Sequence, residues 1–248
     1  MGRWYRFMSR GIGAPLFTHV LRTRLVGAEV IPPRGPGIIA ANHLGGTDVV
    51  FVPALLDRPV SYPAKAELFE GKGLKWVLSA WLRSMGQVPL DRRGGRAGVD
   101  GLRPLVEVLE RGGLVGIFPE GTRSPDGRLY RGHTGVARLA LVTGAPVYPV
   151  GMSNTHLRPG FLGLPSLRTA KAVFGPPLDF SAWQGRGGEP EVLRRVTDDI
   201  MRAIQQITGQ EYVDVYANRV KGGELTPDEV ERHVLPHPGA GTPPGLSA

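Results

Sequence analysis

From residue 37 onward the chain alternates short apolar runs with stretches of helical periodicity. The runs "GIIAAN", "PVSYPAKA", "GQVPLD", "LVGIFP" and "PVYPVGM" read as strands, and "DVVFVPALL", "LKWVLSAWLRSM", "GVDGLRPLVEVLERG" and "TGVARLALVTG" read as helices between them. Repeated strand-helix alternation argues for an α/β fold, with a mainly parallel central sheet flanked by helices. Ligands of such sheets bind beyond the carboxyl ends of the strands, and the polar stretches of this chain fall there. Further on, "RTAKAVFGPPLDF" reads as a strand ending in a Pro-Pro turn. "PEVLRRVTDDIMRAIQQITG" reads as a helix with Val192, Val196, Ile200, Ile204 and Ile207 on one apolar stripe and Gly209 as its stop signal.

A chain of 248 residues can bury a full core, here as one domain with appendages. The expected organisation is an N-terminal amphipathic helical segment over 1–34, an α/β domain over 35–235, and a Pro- and Gly-rich disordered tail over 236–248. Lys and Arg number 30 against 22 Asp and Glu, a net charge of +8. The partners expected from charge are anionic: nucleic acid, a membrane surface or phosphorylated small molecules. Cysteine is absent, which excludes disulfides, Cys-ligated metal sites and a thiol nucleophile. Apolar runs stop well short of the roughly 18 residues of a spanning helix, and the N-terminus lacks a signal-peptide core.

The first 34 residues carry Arg3, Arg6, Arg10, Arg22, Arg24 and Arg34 against the single acid Glu29, interleaved with Trp4, Tyr5, Phe7 and other apolar residues. Two readings fit: amphipathic helices lying in a lipid headgroup layer, or an N-terminal helix packed on the core.

Residues 42–48, "NHLGGTD", follow the first apolar run. Five steps turn a helix about 140° past a full turn, and along a strand they place the two side chains on opposite faces. His43 and Asp48 therefore meet only if the chain turns between them, and Gly45 and Gly46 are the candidate turn-formers. Thr47 is the candidate N-cap of the helix that begins with Asp48. The alternative is a plain strand-to-helix loop with a stray histidine.

Three more stretches lie at strand exits. "GQVPLDRRGGR" runs into an arginine cluster, either a solvated loop or an anion site. "FPEGTRSPDGRLYRGHTG" offers an open backbone at Gly121, a hydroxyl at Thr122 and at Arg123 a guanidinium suited to phosphate; it also reads as a charged turn. Glu120 does not suit direct phosphate binding and would orient Arg123 or a substrate hydroxyl. "PVYPVG" is a core strand whose end borders the pocket. The chain lacks a G-x-S-x-G elbow, a G-x-x-x-x-G-K-[ST] loop and an H-E-x-x-H pair. What remains is a candidate general base, a carboxylate to orient it, and anion-binding groups. That set suits an alcohol deprotonated as it attacks an already activated acyl group.

Together the four stretches resemble the glycerolipid acyltransferase family, best known as 1-acylglycerol-3-phosphate (lysophosphatidic acid) acyltransferases, over roughly residues 35–180. The resemblance implies His43 as the base and Asp48 as its orienting carboxylate. It implies that Arg92 binds the acceptor's phosphate, helped by Glu120, Gly121, Thr122 and Arg123, and that Pro149 belongs to the pocket wall. It also implies an α/β domain with membrane-docking N-terminal helices, acyl-CoA or acyl-carrier protein as co-substrate, no metal or cofactor, and a peripheral location on the cytoplasmic face of a membrane. Gly45 stands where relatives often carry serine and His133 where a lysine is frequent, so the acceptor stays open. The alternatives are another lysophospholipid or polar lipid as acceptor, or a non-catalytic lipid-binding protein. Nucleic acid is not an expected partner, because the basic residues form no recognition motif.

Overall fold

The computed structural model describes residues 15–20, 23–65, 69, 79, 86–90, 99–155, 158–159, 165–166 and 170–240. Its centre is the strand Gly37–Ala41, whose five residues are all buried. That strand lies parallel to Leu114–Ile117 on one side and to Val147–Ser153 on the other. Val60–Ser61 extends the sheet beyond Leu114–Ile117 in the same direction. Beyond Val147–Ser153, Lys171–Phe174 runs antiparallel, and Arg24–Val26 pairs parallel to it at the edge. The result is a mixed six-stranded sheet built around four parallel strands.

Alternation along the central strand divides the core in two, because successive side chains face opposite ways. Ile38 and Ala40 pack with Val115 and Val147 beneath three helices, Val99–Glu110, Gly135–Thr143 and Pro190–Thr208. Ile39 and Ala41 pack on the opposite face with Tyr148, Val150 and Met152 against Phe51 and Val52 of the helix Asp48–Leu55. Ile38 and Ile39 are fully buried, each worth about 1.5–3 kcal/mol relative to exposure. Val192, Val196, Ile200 and Ile204 are likewise buried, and Gly209 ends their helix at φ 67°. Among the described residues no helix is long and apolar enough to cross a membrane.

Several expectations are corrected. "PVSYPAKA" is not one strand: it breaks at Tyr62, after which Pro63–Lys65 pairs instead with Val88–Leu90 in a separate parallel pair. The break follows from Pro63, which has no N–H to donate to a ladder, and from Tyr62, whose ring fills the space a side chain at Gly116 would need. Helix does not extend across 1–34 either. Arg24–Val26 is an edge strand, and Gly27, at φ 73° with Phe174 O only 2.7 Å from where a Cβ would stand, turns the chain into the single 3-10 turn Ala28–Val30. Residues 1–14 and most of "LKWVLSAWLRSM" lie outside the described residues. The first part of the tail is held: the carbonyls of Pro236 and Pro238 accept hydrogen bonds from Gln205 and Arg202.

Residues 209–235 build a small lobe. Leu129–Tyr130, Tyr212–Val213 and Val234–Leu235 form a three-stranded sheet over Val215, Ala217 and Val230. Arg128 ties it down through Asp126, Glu211 and Glu231, at 2.8, 3.3 and 2.7 Å.

Candidate active site

The central strand ends at Asn42, which is completely buried. Its amide donates to Met152 O and Gln210 Oε1, and its carbonyl oxygen accepts from Met152 N. A side chain thus continues the ladder by one step and holds His43 at the strand exit. His43 Nδ1 lies 2.8 Å from Asp48 Oδ2. The backbone N–H groups of Leu44 and Gly45 donate to the same oxygen at 2.8 and 2.9 Å. With Nδ1–H donating to the carboxylate, the lone pair is left on Nε2, the arrangement a general base requires.

The loop is closed by the Asp48 carboxylate. Gly45 and Gly46 form the bend, but neither occupies the left-handed region. Thr47 precedes the helix without capping it; its hydroxyl donates instead to Thr155 O at 2.7 Å.

The stretch 118–124 grips His43 from the other side. The Phe118 ring stacks on the imidazole at 4.0 Å and 16°. His43 N donates to Glu120 Oε1 at 3.0 Å, and Ser124 N donates to His43 O at 2.7 Å, so both backbone polar groups of the histidine are engaged. The second Glu120 oxygen accepts from Tyr130 N at 3.1 Å. Glu120 is 1% exposed, and this burial pushes its carboxyl up to about 8 against the two amide donors and Lys221, with Asp48 adding to the rise. The expected orienting role of Glu120 toward Arg123 is corrected accordingly: both oxygens accept from backbone amides, so Glu120 is a buried brace between the histidine loop and the lobe, and among the described residues it makes no ion pair or hydrogen bond with Arg123.

Gly121 sits at φ 73°, and a Cβ there would stand 2.9 Å from the His133 ring; this position does need glycine. His43, Gly121, Thr122, Arg123 and His133 border one cleft of about 540 Å³ whose remaining wall is mostly apolar, including Val49, Leu105 and Ile117. Arg123 reaches across toward the histidine loop, its Nη1 lying 3.9 Å from the Cβ position of Gly46.

With this geometry in place, comparison with known proteins gives the family. The family model for acyltransferases matches residues 22–153. The chain belongs to the acyltransferase family. A chloroplastic 1-acyl-sn-glycerol-3-phosphate acyltransferase from Brassica napus is 33% identical over 71% of this chain and 52% of its own length. A lyso-ornithine lipid O-acyltransferase from Pseudomonas aeruginosa is 34% identical over 49% of this chain and 44% of its own. The crystal structure of a 1-acyl-sn-glycerophosphate (LPA) acyltransferase from Thermotoga maritima superposes with a TM-score of 0.58 at 28% identity, covering 80% of this chain and 76% of that one. The chain spans about half the length of the curated relatives it matches.

Two expected site residues remain, Arg92 and Pro149. Arg92 lies outside the described residues. Pro149 is not a wall of the cleft: it lies on the sheet face shared with Val147 and Gly151, beside Gly175 and Ile207, because the alternation of its strand points it under the helix Pro190–Thr208. Conversely, residues that were not expected take part. Phe118 and Ser124 lie inside the third polar stretch, so their proximity to His43 follows once that stretch is placed beside the first. Tyr216 and Lys221 come from the lobe, where no local pattern marks them: Tyr216 stacks on His133 at 4.3 Å and 7°, and Lys221 Nζ donates to Thr122 Oγ1 at 3.2 Å.

Proposed function

We propose that this acyltransferase moves a fatty acyl group from acyl-CoA or acyl-carrier protein to the free hydroxyl of 1-acylglycerol-3-phosphate, giving phosphatidic acid. The observation that carries the reading is the 2.8 Å contact between His43 and Asp48 at the edge of the cleft. His43 Nε2 takes the hydroxyl proton as the alcohol oxygen bonds to the thioester carbonyl carbon. The C–S bond then breaks, and the imidazolium returns its proton to the departing thiolate. An ester and a free thiol result, with no covalent enzyme intermediate and no cofactor in the scheme. The apolar wall suits an acyl chain, and Arg123 with Thr122 suits the acceptor's phosphate.

We place the enzyme peripherally on the cytoplasmic face of a membrane, on the strength of the arginine-aromatic N-terminal sequence and lipid substrates. A second reading keeps the chemistry and changes the acceptor to another lysophospholipid or polar lipid; the Pseudomonas relative named for lyso-ornithine lipid favours including it. The test is thiol release by purified protein given lysophosphatidic acid and either donor, beside His43→Ala. Release that depends on His43 supports the reading, and no release with either donor overturns it.

A further inference from the structure

We propose that Lys221 is a specificity residue: with Arg123 and the Thr122 hydroxyl it forms a two-cation clamp for the acceptor's phosphate, so that the C-terminal lobe selects phosphate-bearing acceptors. The inference rests on the function proposed above and adds a residue that lies outside the matched family region of 22–153.

Geometry comes first. Lys221 ends the short helix Ala217–Lys221, is exposed, and places its ammonium 3.2 Å from Thr122 Oγ1. Thr122 and Arg123 both border the cleft, and so does Tyr216, which immediately precedes the lysine's helix and stacks on His133. The lobe is not free to carry Lys221 away, since Arg128 bonds to Glu211 and Glu231 within it and Glu120 bonds to Tyr130 N.

Charge is the second, independent argument. Among the described residues neither Lys221 nor Arg123 is in an ion pair with a carboxylate, whereas Arg128, Arg131, Arg194 and Arg219 all are. The acid that reaches Lys221 electrostatically is Glu120, which is buried, spends both oxygens on backbone amides and is pushed up to about 8. Desolvation, and after it the Arg123 charge, pull the Lys221 ammonium below the ordinary lysine value. Two cations held together beside a cleft repel one another, and an anion between them removes that penalty. A phosphate monoester carries about 1.5–2 negative charges near neutrality and three acceptor oxygens. The guanidinium, the ammonium and the threonine hydroxyl offer donors to match.

The experiment uses the full chain as wild type, Lys221→Gln and Lys221→Arg. With lysophosphatidic acid, Lys221→Gln should raise KM by about 10- to 100-fold, the worth of a hydrogen bond to a charged group, and leave kcat within about threefold. Lys221→Arg should recover most of the loss, and a phosphate-free monoacylglycerol acceptor should show no difference among the three proteins. A merely structural lysine would affect both acceptors alike, and that result overturns the clamp. Calorimetric titration with glycerol 3-phosphate, against glycerol as control, reads the clamp without turnover. Weaker binding by Lys221→Gln than by wild type supports it; equal binding, or no binding by wild type at millimolar ligand, overturns it. If wild type binds glycerol 3-phosphate through Lys221 yet releases no thiol with either donor, the proposed activity fails and the clamp stands.

Discussion

The two sides of the cleft are built differently. On the side of the proposed base most polar atoms are committed: His43 through its ring and both backbone groups, Glu120 through both oxygens, Asp48 Oδ2 through three donors, while Asp48 Oδ1 is buried without a hydrogen-bond partner. Asp48 and Glu120 are 0% and 1% exposed. On the anion side Arg123 and Lys221 are exposed, and the bond from Lys221 to Thr122 is a neutral hydroxyl contact. A base must be preorganised in its tautomer and orientation before substrate arrives, because correcting either during the reaction raises the barrier. Cations that receive a phosphate are completed by the ligand itself. The contrast teaches where rigidity is needed, and mutations on the two sides should fail in different ways.

Loss of the proposed base is the largest effect expected. His43→Ala should lower kcat/KM for thiol release by about 10³–10⁴-fold, and it should also lower stability by about 1–3 kcal/mol, because it removes one of the three donors to the buried Asp48 oxygen and the ring stacked on Phe118. Asp48→Asn comes next, at about 10²–10³-fold in kcat. An asparagine amide facing Nδ1 donates where the carboxylate accepts, which moves the ring proton to Nε2 and removes the base. A variant that loses KM and keeps kcat would place Asp48 with the anion side and break the comparison.

Glu120 tests the brace. Its carboxyl is raised from the ordinary 4.5 to about 8 by burial, so between those values the folded protein holds a proton that the unfolded chain releases. Stability from this group is complete below about pH 4.5, falls as pH rises across the window and has gone above about 8. Urea midpoints measured from pH 5 to pH 8 should decline in wild type and decline less in Glu120→Gln. The glutamine also presents an NH2 group to one of the two backbone donors, which should lower stability by about 1–3 kcal/mol. Equal pH slopes in the two proteins would remove Glu120 from this account.

These residues also show what was legible from sequence. The central strands were, because a short continuous apolar run bounded by turn residues is a local signal, and the meeting of His43 with Asp48 was in outline, because side chains five residues apart at a strand exit come together only through a turn. Arg24–Val26 was not: a three-residue strand has no period to read, and its partner Lys171–Val173 is far along the chain. The neighbours Gly121, Thr122 and Arg123 draw Glu120 into an anion-site reading as an orienting carboxylate, since its burial and the amide of Tyr130 are tertiary facts. Pro149 was drawn to the pocket by its place in a motif, whereas strand alternation turns it into the core. Lys221 comes within 3.2 Å of the Thr122 hydroxyl only because a three-stranded lobe folds back over residues 129–130.

The smallest effects separate two kinds of glycine. Gly121→Ala should cost about 1–2 kcal/mol, because it puts a side chain at φ 73° and 2.9 Å from the His133 ring. Activity should fall with it, since Thr122 and Arg123 follow directly and Ser124 holds the His43 carbonyl. Gly46→Ala should be close to neutral or slightly stabilising, by up to about 1 kcal/mol, through the unfolded chain's lost freedom. Its φ lies outside the left-handed region, and the nearest atom to the new Cβ is the end of the Arg123 side chain at 3.9 Å. Thermal unfolding and thiol release on the two alanine variants decide the point. If Gly46→Ala were as damaging as Gly121→Ala, the histidine loop would depend on glycine after all, and the claim that its shape is set by three donors converging on one Asp48 oxygen would be lost.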